Sequence, residues 1–317
     1  MFTEELIRSL RDSGVIEIVG ASRELAIERE AIDALALPSS IAAIIVTRID
    51  RLPLTHQSTL KAASVAGRSF TIDDIEAIHP ESLSPAEIKE HLEEAVALEL
   101  IASSDQGRAS EYRFSHVLIA EATYGLLPAE VRAPMHLALA RFLATRADTA
   151  PSILAHHWGA GGDRGAAAAA FDEAAKIAVE SGADREAIRL LANHDALGVA
   201  DPSPLATARR EAMWGEAYIQ LGELERGHQH LLTAVDRAGM PMPSKRWRMV
   251  WGLLVQMVRQ LGHRVITRGP RRAEAAERSE IGSAAYWSMT ATTFGHQDAL
   301  GLAYVGIRAT NEAERIP

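Results

Sequence analysis

The chain has 317 residues, 33 Lys and Arg against 42 Asp and Glu, a net charge of −9 and no cysteine. The length allows two or three domains. The lack of cysteine excludes disulfide scaffolds, Cys-ligated zinc, iron–sulfur clusters and a thiol nucleophile, and the negative charge disfavours general nucleic-acid binding.

Alanine and leucine dominate, with 56 and 32 copies, while aromatics are only 5%. Both residues head the helix-propensity ranking, and short side chains let helices approach closely. An all-α protein with close helix–helix contacts is expected. Met1 to Glu5 shows no basic region ahead of an apolar core, so no signal peptide is expected. The best uncharged run, Met249 to Val258, is far short of the ~18 residues of a membrane helix. A cytoplasmic location is expected.

In chain order, residues 2–13 predict an amphipathic helix with Phe2, Leu6, Ile7 and Leu10 on one face. Val15 to Val19 alternates weakly, as a short strand does. Pro38-Ser39-Ser40 predicts a cap for a helix through Ile41, Ile44, Ile45, Ile49 and Leu52. Three short helices follow. The first runs from Thr55 to Ala66 and stops at Gly67. The second starts at Thr71, with Asp74 at capping-box spacing. The third has Ser84 as cap, Pro85 at the first helical position and Glu87 three after the cap, with Ile88, Leu92, Ala95 and Val96 inward. Leu100 to Ser103 and Glu111 to Ser115 predict two strands joined by a turn at 105–108. Tyr112 and Phe114 share one face of the second and Arg113 takes the other. Three helices and a hairpin, in that order, make a winged helix.

From Pro128 onward the pattern is helical. Glycines 159, 161, 162 and 165 predict a loop. Phe171, Ala174, Ala175, Ala178, Gly182, Ala187 and Leu191 then follow the spacing of a helix–turn–helix repeat. Trp214, Gly215, Tyr218, Gly222, Gly227, Leu231 and Ala234 repeat it. Ser288, Ala291, Gly295, Leu300, Tyr304 and Ile307 repeat it loosely. This is a degenerate tetratricopeptide pattern, with room for an extra helical pair between the second and third copies. Residues 244–278 fill that gap with nine Lys and Arg against Glu274 and Glu277, a local +7 that leaves −16 elsewhere. Trp247, Val250, Trp251, Leu254, Val258 and Leu261 form one apolar stripe there, read as facing inward with the arginines solvated; the alternative is a basic helix that lies on an anionic surface or binds an acidic partner.

Several stretches resemble a known family. They are Phe2 to Ile16, Leu37-Pro38-Ser39, Arg48-Ile49-Asp50-Arg51-Leu52, Ala62 to Phe70, Tyr112 to His116, Glu121 to Tyr124, Arg132, His136 and Ala155-His156-His157-Trp158. Together they look like the part that follows the ATPase in large bacterial regulators. Those regulators join a class III adenylate/guanylate cyclase domain, or another output domain, to a STAND-type AAA ATPase and a tetratricopeptide-like C-terminus. The resemblance implies the tail of an ATPase lid over 1–52, a winged helix over 53–127 and a helical array over 128–317. It also places a nucleotide-sensing histidine at His116, whose plain alternative is a capping or packing role. ATP and Mg²⁺ are implied for the parent protein, and no cofactor for this chain. The chain departs from the family in having no Gly-rich loop ending in Lys-Ser/Thr, and it reads as a fragment or truncated product.

No catalytic constellation stands out, and no metal ligand set either. His156-His157 point about 100° apart on a helix and lack the i, i+4 spacing of a zinc helix. His228 and His230 also face differently. The helix 85–98 carries Glu87, Glu90, Glu93 and Glu94 against Lys89 alone. DNA affinity comes largely from phosphate neutralisation, so DNA contact there is not expected. The expected function is interaction and regulation without catalysis, as the regulatory portion of a signalling ATPase. The array would take a protein or small-molecule signal, the other partners would be upstream ATPase and cyclase domains, and no membrane is expected. The alternative is a DNA-binding transcriptional regulator that uses the winged helix.

Overall fold

The structure is a computed structural model that describes residues 16–19, 24–27, 45–104, 111–263, 273–295 and 297–316. The expected helix 2–13, the Pro38-Ser39-Ser40 cap and the turn at 105–108 lie outside the described residues. The described chain is mostly helical. It divides into two compact units, Met1–Phe142 and Leu143–Pro317, a division fifteen residues beyond the expected domain boundary at 127/128.

In the first unit, β1 (Ile16–Val19) pairs antiparallel with β2 (Glu24–Ile27). Residues 45–49 are helical. Then come α1 (Leu54–Ala66), β3 (Ser69–Thr71), α2 (Ile72–Glu76), α3 (Pro85–Ala97), β4 (Ile101–Ser104), β5 (Glu111–Phe114) and α4 (Val117–Gly125). The expected single hairpin β4–β5 gains a third strand, since β3 pairs with β5 in the order β3-β5-β4. β1–β2 is a second hairpin.

Local chemistry sets these boundaries. Thr71 and Ser84 each accept from the backbone N–H three residues on, while Asp74 and Glu87 accept from the cap residues' own N–H. Both are complete capping boxes. Gly67 ends α1 at φ 123°, a conformation closed to residues with a Cβ. Alternation then builds the core. Tyr112 and Phe114 are buried and Arg113 is exposed. Phe70 packs on both rings, with its centroid 6.1 Å from Tyr112 and 5.6 Å from Phe114. α3 packs on α1, with Ile88, Leu92 and Ala95 of the one and Leu60 and Ala63 of the other all buried. The residues that carried the resemblance have structural work here. Arg48 donates to the carbonyl of Leu98. Arg132, on α5 (Ala129–Leu143), donates to the carbonyls of Leu127 and Gly125 at the end of α4. It also lies over the Tyr124 ring at 4.3 Å, and the Tyr124 hydroxyl meets His136 Nε2 at 3.0 Å.

The second unit is built from α6 (Pro151–Ala160), α7 (Arg164–Glu180), α8 (Asp184–Ala196), α9 (Pro204–Gln220), α10 (Leu224–Arg237), α11 (Arg246–His263), α12 (Ala273–Gly295) and α13 (Ala299–Ala313). The expected glycine loop at 159–165 is only a short turn, because Gly159 and Gly165 are helical. Gly182 and Gly222 occupy the two turns at φ 73° and 83°. In the third copy Gln297 takes the left-handed position at φ 54°, because α12 runs on through Gly295. The expected extra pair is one helix, α11, among the described residues.

Neighbouring helices pack in the order α6, α7, α8, α9 and α10. α12 then lies against both α9 and α10, and α13 lies against α12. α11 packs on α13 rather than on α10. At the α9–α10 seam two glycines face each other; a Cβ on Gly227 would fall 2.8 Å from the carbonyl oxygen of Gly215. At the α10–α12 seam the buried Tyr286 hydroxyl donates to the carbonyl of Met240 at 2.6 Å.

The α11 stripe was expected to face inward, and it faces outward. Trp247, Trp251, Leu254 and Val258 are exposed. The packed face carries Met249, Gly252, Leu253 and Gln256 instead. Gly252 allows the Tyr304 ring to approach to within 2.9 Å of where a Cβ would stand. Asn311 of α13 donates to the carbonyl and side-chain oxygens of Gln256. These buried hydrogen bonds and the glycine notch fix which side packs.

Candidate functional site

The second unit carries a groove of about 820 Å³ between α7, the 197–203 connection, α9 and α12. It exists because its helices face it with short side chains. Gly165, Ala168 and Ala169 line it from α7, Ala206 and Ala212 from α9, and Ala284 from α12. Close-packed interiors fill such space; here the stubs leave it open. Ser203 sets the start of α9, accepting from the Ala206 N–H at 3.1 Å with Pro204 at the first helical position. That cap holds Asp201 at the edge of the groove.

A polar network runs along the groove wall. Arg210 donates from both terminal nitrogens to the two carboxylate oxygens of Asp201, 2.7 Å for one of the pair, and its Nε lies 3.2 Å from Asp195. Thr207 donates to Asp201 at 2.7 Å. Arg210 Nη1 also reaches His194 Nε2 at 3.4 Å. A guanidinium only donates, so His194 Nε2 accepts, and Nδ1 carries the proton toward Asp195 at 3.4 Å. The His194 side chain is 5% exposed and that of Arg210 11%.

Asp172 completes the cluster from α7. Its Oδ1 lies 3.7 Å from His194 Nε2, is buried and accepts no hydrogen bond. Burial pushes the Asp172 carboxyl above the ordinary aspartate range, against the pull of the Arg210 guanidinium. Burial likewise raises Glu216 on the opposite wall, with Asp184 adding to it. The hydrogen bonds from Arg210 hold Asp201 below its ordinary value. Asp172, Glu173, Asp201, Glu216, Glu277 and Glu280 line the groove against Lys176 and Arg209. Arg209 pairs with Glu277 across it, joining α9 to α12. On α12 the spacing carries the line from Glu277, Glu280 and Ala284 on to Trp287, Ala291 and Phe294. Trp287 and Phe294 are 68% and 75% exposed. The arrangement offers hydrogen-bond acceptors and negative charge at one end, and exposed aromatic surface along the same helix face.

A raised carboxylate pKa means the charged form is held at a cost. For Asp172 the folded-state value lies above the unfolded one. Its contribution is therefore favourable below the unfolded value and is lost as pH rises through the folded one. Asp172→Asn should therefore raise the melting temperature at neutral pH, and the gain should shrink as pH drops toward ordinary aspartate values. Thermal melts of both proteins across that range check this. A variant less stable at neutral pH would show that the attraction of Asp172 to the Arg210 charge outweighs its burial.

His116, the sequence-derived candidate, lies in the first unit. It is the N-cap of α4 and accepts from the Leu118 N–H through Nδ1 at 3.2 Å, exposed to solvent. Its capping role is structural. With Nδ1 accepting, Nε2 bears the proton. His156 is exposed and His157 buried. His228 Nδ1 meets Thr292 at 2.8 Å. His230 Nδ1 meets Glu211 at 2.7 Å and stacks with Trp214 and Tyr218. The groove residues Asp172, His194, Asp201 and Arg210 carry no motif and are absent from the sequence-derived set. The one signal is an Arg pair, Arg209-Arg210, within an otherwise Ala-rich helix.

Compared with known protein families, curated proteins and solved structures, the chain matches none of them.

Proposed function

We propose that the chain is a non-catalytic interaction module whose second unit is a tetratricopeptide-like array. On this reading its groove takes a cationic segment of a partner protein. The observation that carries this is the groove itself. Six carboxylates face two cations, one carboxylate oxygen is buried without a donor, and exposed aromatics continue the line along α12. A lysine or arginine side chain would supply the missing donor, and its apolar neighbours would cover Trp287 and Phe294. Extended concave surfaces are how helical arrays bind.

On the same reading the first unit is a winged helix. The helix and strand order and the β3-β5-β4 pairing support it. DNA reading by α3 is not supported. Glu87 is tied into a cap, Glu94 pairs with His56, and Glu93 sits 3.9 Å from Lys89, all on a helix of net negative charge. The parent protein we propose is an ATP-dependent signalling regulator. This chain's own residues do not fit a phosphate cradle. The glycine run that comes nearest in sequence is helical at both ends, with no Lys-Ser/Thr. One capping histidine does not replace a cradle, its lysine and a held Mg²⁺.

The test is fluorescence anisotropy with a labelled peptide that alternates lysine with leucine, against a glutamate–leucine peptide of equal length. The lysine peptide should bind and the glutamate peptide should not. Glu277→Gln/Glu280→Gln with Trp287→Ala should weaken binding about tenfold or more. Glu121→Gln/Glu130→Gln, in the first unit, should leave it unchanged. Equal loss with both sets would mean diffuse charge attraction and would refute the groove reading.

A further inference from the structure

α11 is apolar on two sides. Its inner side meets α13 through Met249, Gly252, Leu253 and Gln256. Its outer side exposes Trp247, Val250, Trp251, Leu254, Val255 and Val258, each between 44% and 68%. A contiguous apolar face of this kind on a folded chain marks an interaction surface. Charge says what kind. Lys245, Arg246, Arg248 and Arg259 are exposed around it, and residues 244–263 contain no carboxylate. The rest of the chain outside 244–278 carries −16, so this is an isolated positive site on a negative molecule.

We infer that the outer face of α11 docks on an anionic lipid bilayer, lying in the plane of the interface.

Three features favour a bilayer over other occupants. First, the residue types fit. Tryptophan partitions to the water–lipid boundary, and arginine buries its stem while keeping the guanidinium among headgroups. Arg248 lies 5.3 Å from the Trp247 ring, so one cation and one anchor sit side by side. Second, the shape fits. Protein partners anchor their strongest contacts in well-packed pockets. The outward side of a single helix is convex, and a fluid apolar medium needs no pocket. Third, charge opposes a second copy of the chain. A symmetric pairing through α11 would bring together two basic helices that carry no carboxylate of their own. Among the described residues no helix is long and apolar enough to cross a membrane, so the mode is interfacial. The expectation that no membrane is a partner assumed an inward stripe, and the outward stripe removes its basis. The inference is independent of what the groove binds.

The test uses the full chain with two vesicle types, phosphatidylcholine alone and phosphatidylcholine mixed with phosphatidylglycerol. Co-sedimentation and tryptophan emission are read together. The chain should sediment with the anionic vesicles and its emission should shift to the blue, both weakening with added salt, and neutral vesicles should do neither. Trp247→Ser/Trp251→Ser should lower partitioning about tenfold or more. Arg246→Gln/Arg248→Gln should lower it by about tenfold to thirtyfold. All four side chains are exposed, so thermal melts of both variants should match the parent. Glu277→Gln/Glu280→Gln should leave vesicle binding intact, which separates this result from the groove test. Absence of sedimentation with anionic vesicles at low salt overturns the inference, as does binding that ignores the tryptophan changes. A dimer that forms without lipid and is lost with Trp251→Ser also overturns it, assigning the face to a second copy.

Discussion

Gly227→Val is expected to be the most damaging single change in the second unit. At the α9–α10 seam a Cβ on residue 227 would stand 2.6 Å from Ile219 Cγ1 and 2.8 Å from the Gly215 carbonyl oxygen. Ile219 can turn away, but the carbonyl is backbone and moves only if the helices part. Gly215 mirrors this, with a Cβ 2.6 Å from Leu231 Cγ and 3.1 Å from the Gly227 oxygen. Leu231, Ala234 and Val235 are fully buried in the same seam, so parting the helices opens the core on both sides. Overpacking a tight site costs about 1–3 kcal/mol, and more where backbone must move. About 3 kcal/mol or more is expected here, a fall in melting temperature of roughly 6–12 °C for a unit of this size. Two controls bracket the effect. Gly222→Ala, at φ 83° with open space around it, should cost only about 1–2 kcal/mol. Gly306→Ala, helical and with nothing within 4 Å, should be stabilising by about 0.5–1 kcal/mol. If Gly227→Val melted no lower than Gly222→Ala, the helices would not approach as described.

Asp201→Ala should be the second largest loss. Asp201 takes two hydrogen bonds from Arg210 and one from Thr207. Without it the guanidinium, 11% exposed, keeps only Asp195 and the imidazole of His194. Removing one partner of a largely buried ion pair costs about 3–5 kcal/mol. The lower end applies, because Asp195 remains and is itself half exposed. The pH dependence has a definite sign. Arg210 depresses the folded-state value of Asp201. Its contribution is thus present above the unfolded value, near 4, and is lost as pH falls through the lower folded value. Urea melts of the parent and the variant should differ most at neutral pH and converge in acid. A difference that stays constant below pH ~4 would mean that packing, not charge, accounts for it.

What could be read from sequence is what short-range chemistry decides. Thr71 with Asp74, and Ser84 with Pro85 and Glu87, name their helix starts because cap and partner are three residues apart. Tyr112 and Phe114 name a strand face because alternation is local. Gly182 and Gly222 name turns because only glycine enters their φ without strain. The third turn escaped the pattern. Gln297 accepts a left-handed φ while Gly295 remains helical, so the glycine misplaces the turn by two residues. The orientation of α11 was illegible for a different reason. Both of its sides are apolar enough to be buried, and the choice rests on Gly252 against Tyr304 and on Gln256 against Asn311, partners some fifty residues away. The groove network was equally hidden. Asp172, His194, Asp201 and Arg210 come from three helices and a connection. Their meeting follows from the packing of α7 and α8 on α9, which no spacing in the sequence encodes.

The placement of α11 has a consequence for the order in which the chain assembles. α11 ends at residue 263, yet the surface it packs on is α13, residues 299–313. A growing chain exposes α11 before its partner exists. Synthesis proceeds at roughly 5–20 residues per second. The helix therefore waits on the order of several seconds, with both its tryptophans and its packing face bare, while α6 to α10 close behind it. α12 docks on α9 and α10 first, then α13 on α12, and only then can the earlier-made helix return to the far side of the stack. For that interval the nascent chain carries its most adhesive segment unpaired. Chaperones, or a nearby membrane, have their longest opportunity to engage it then.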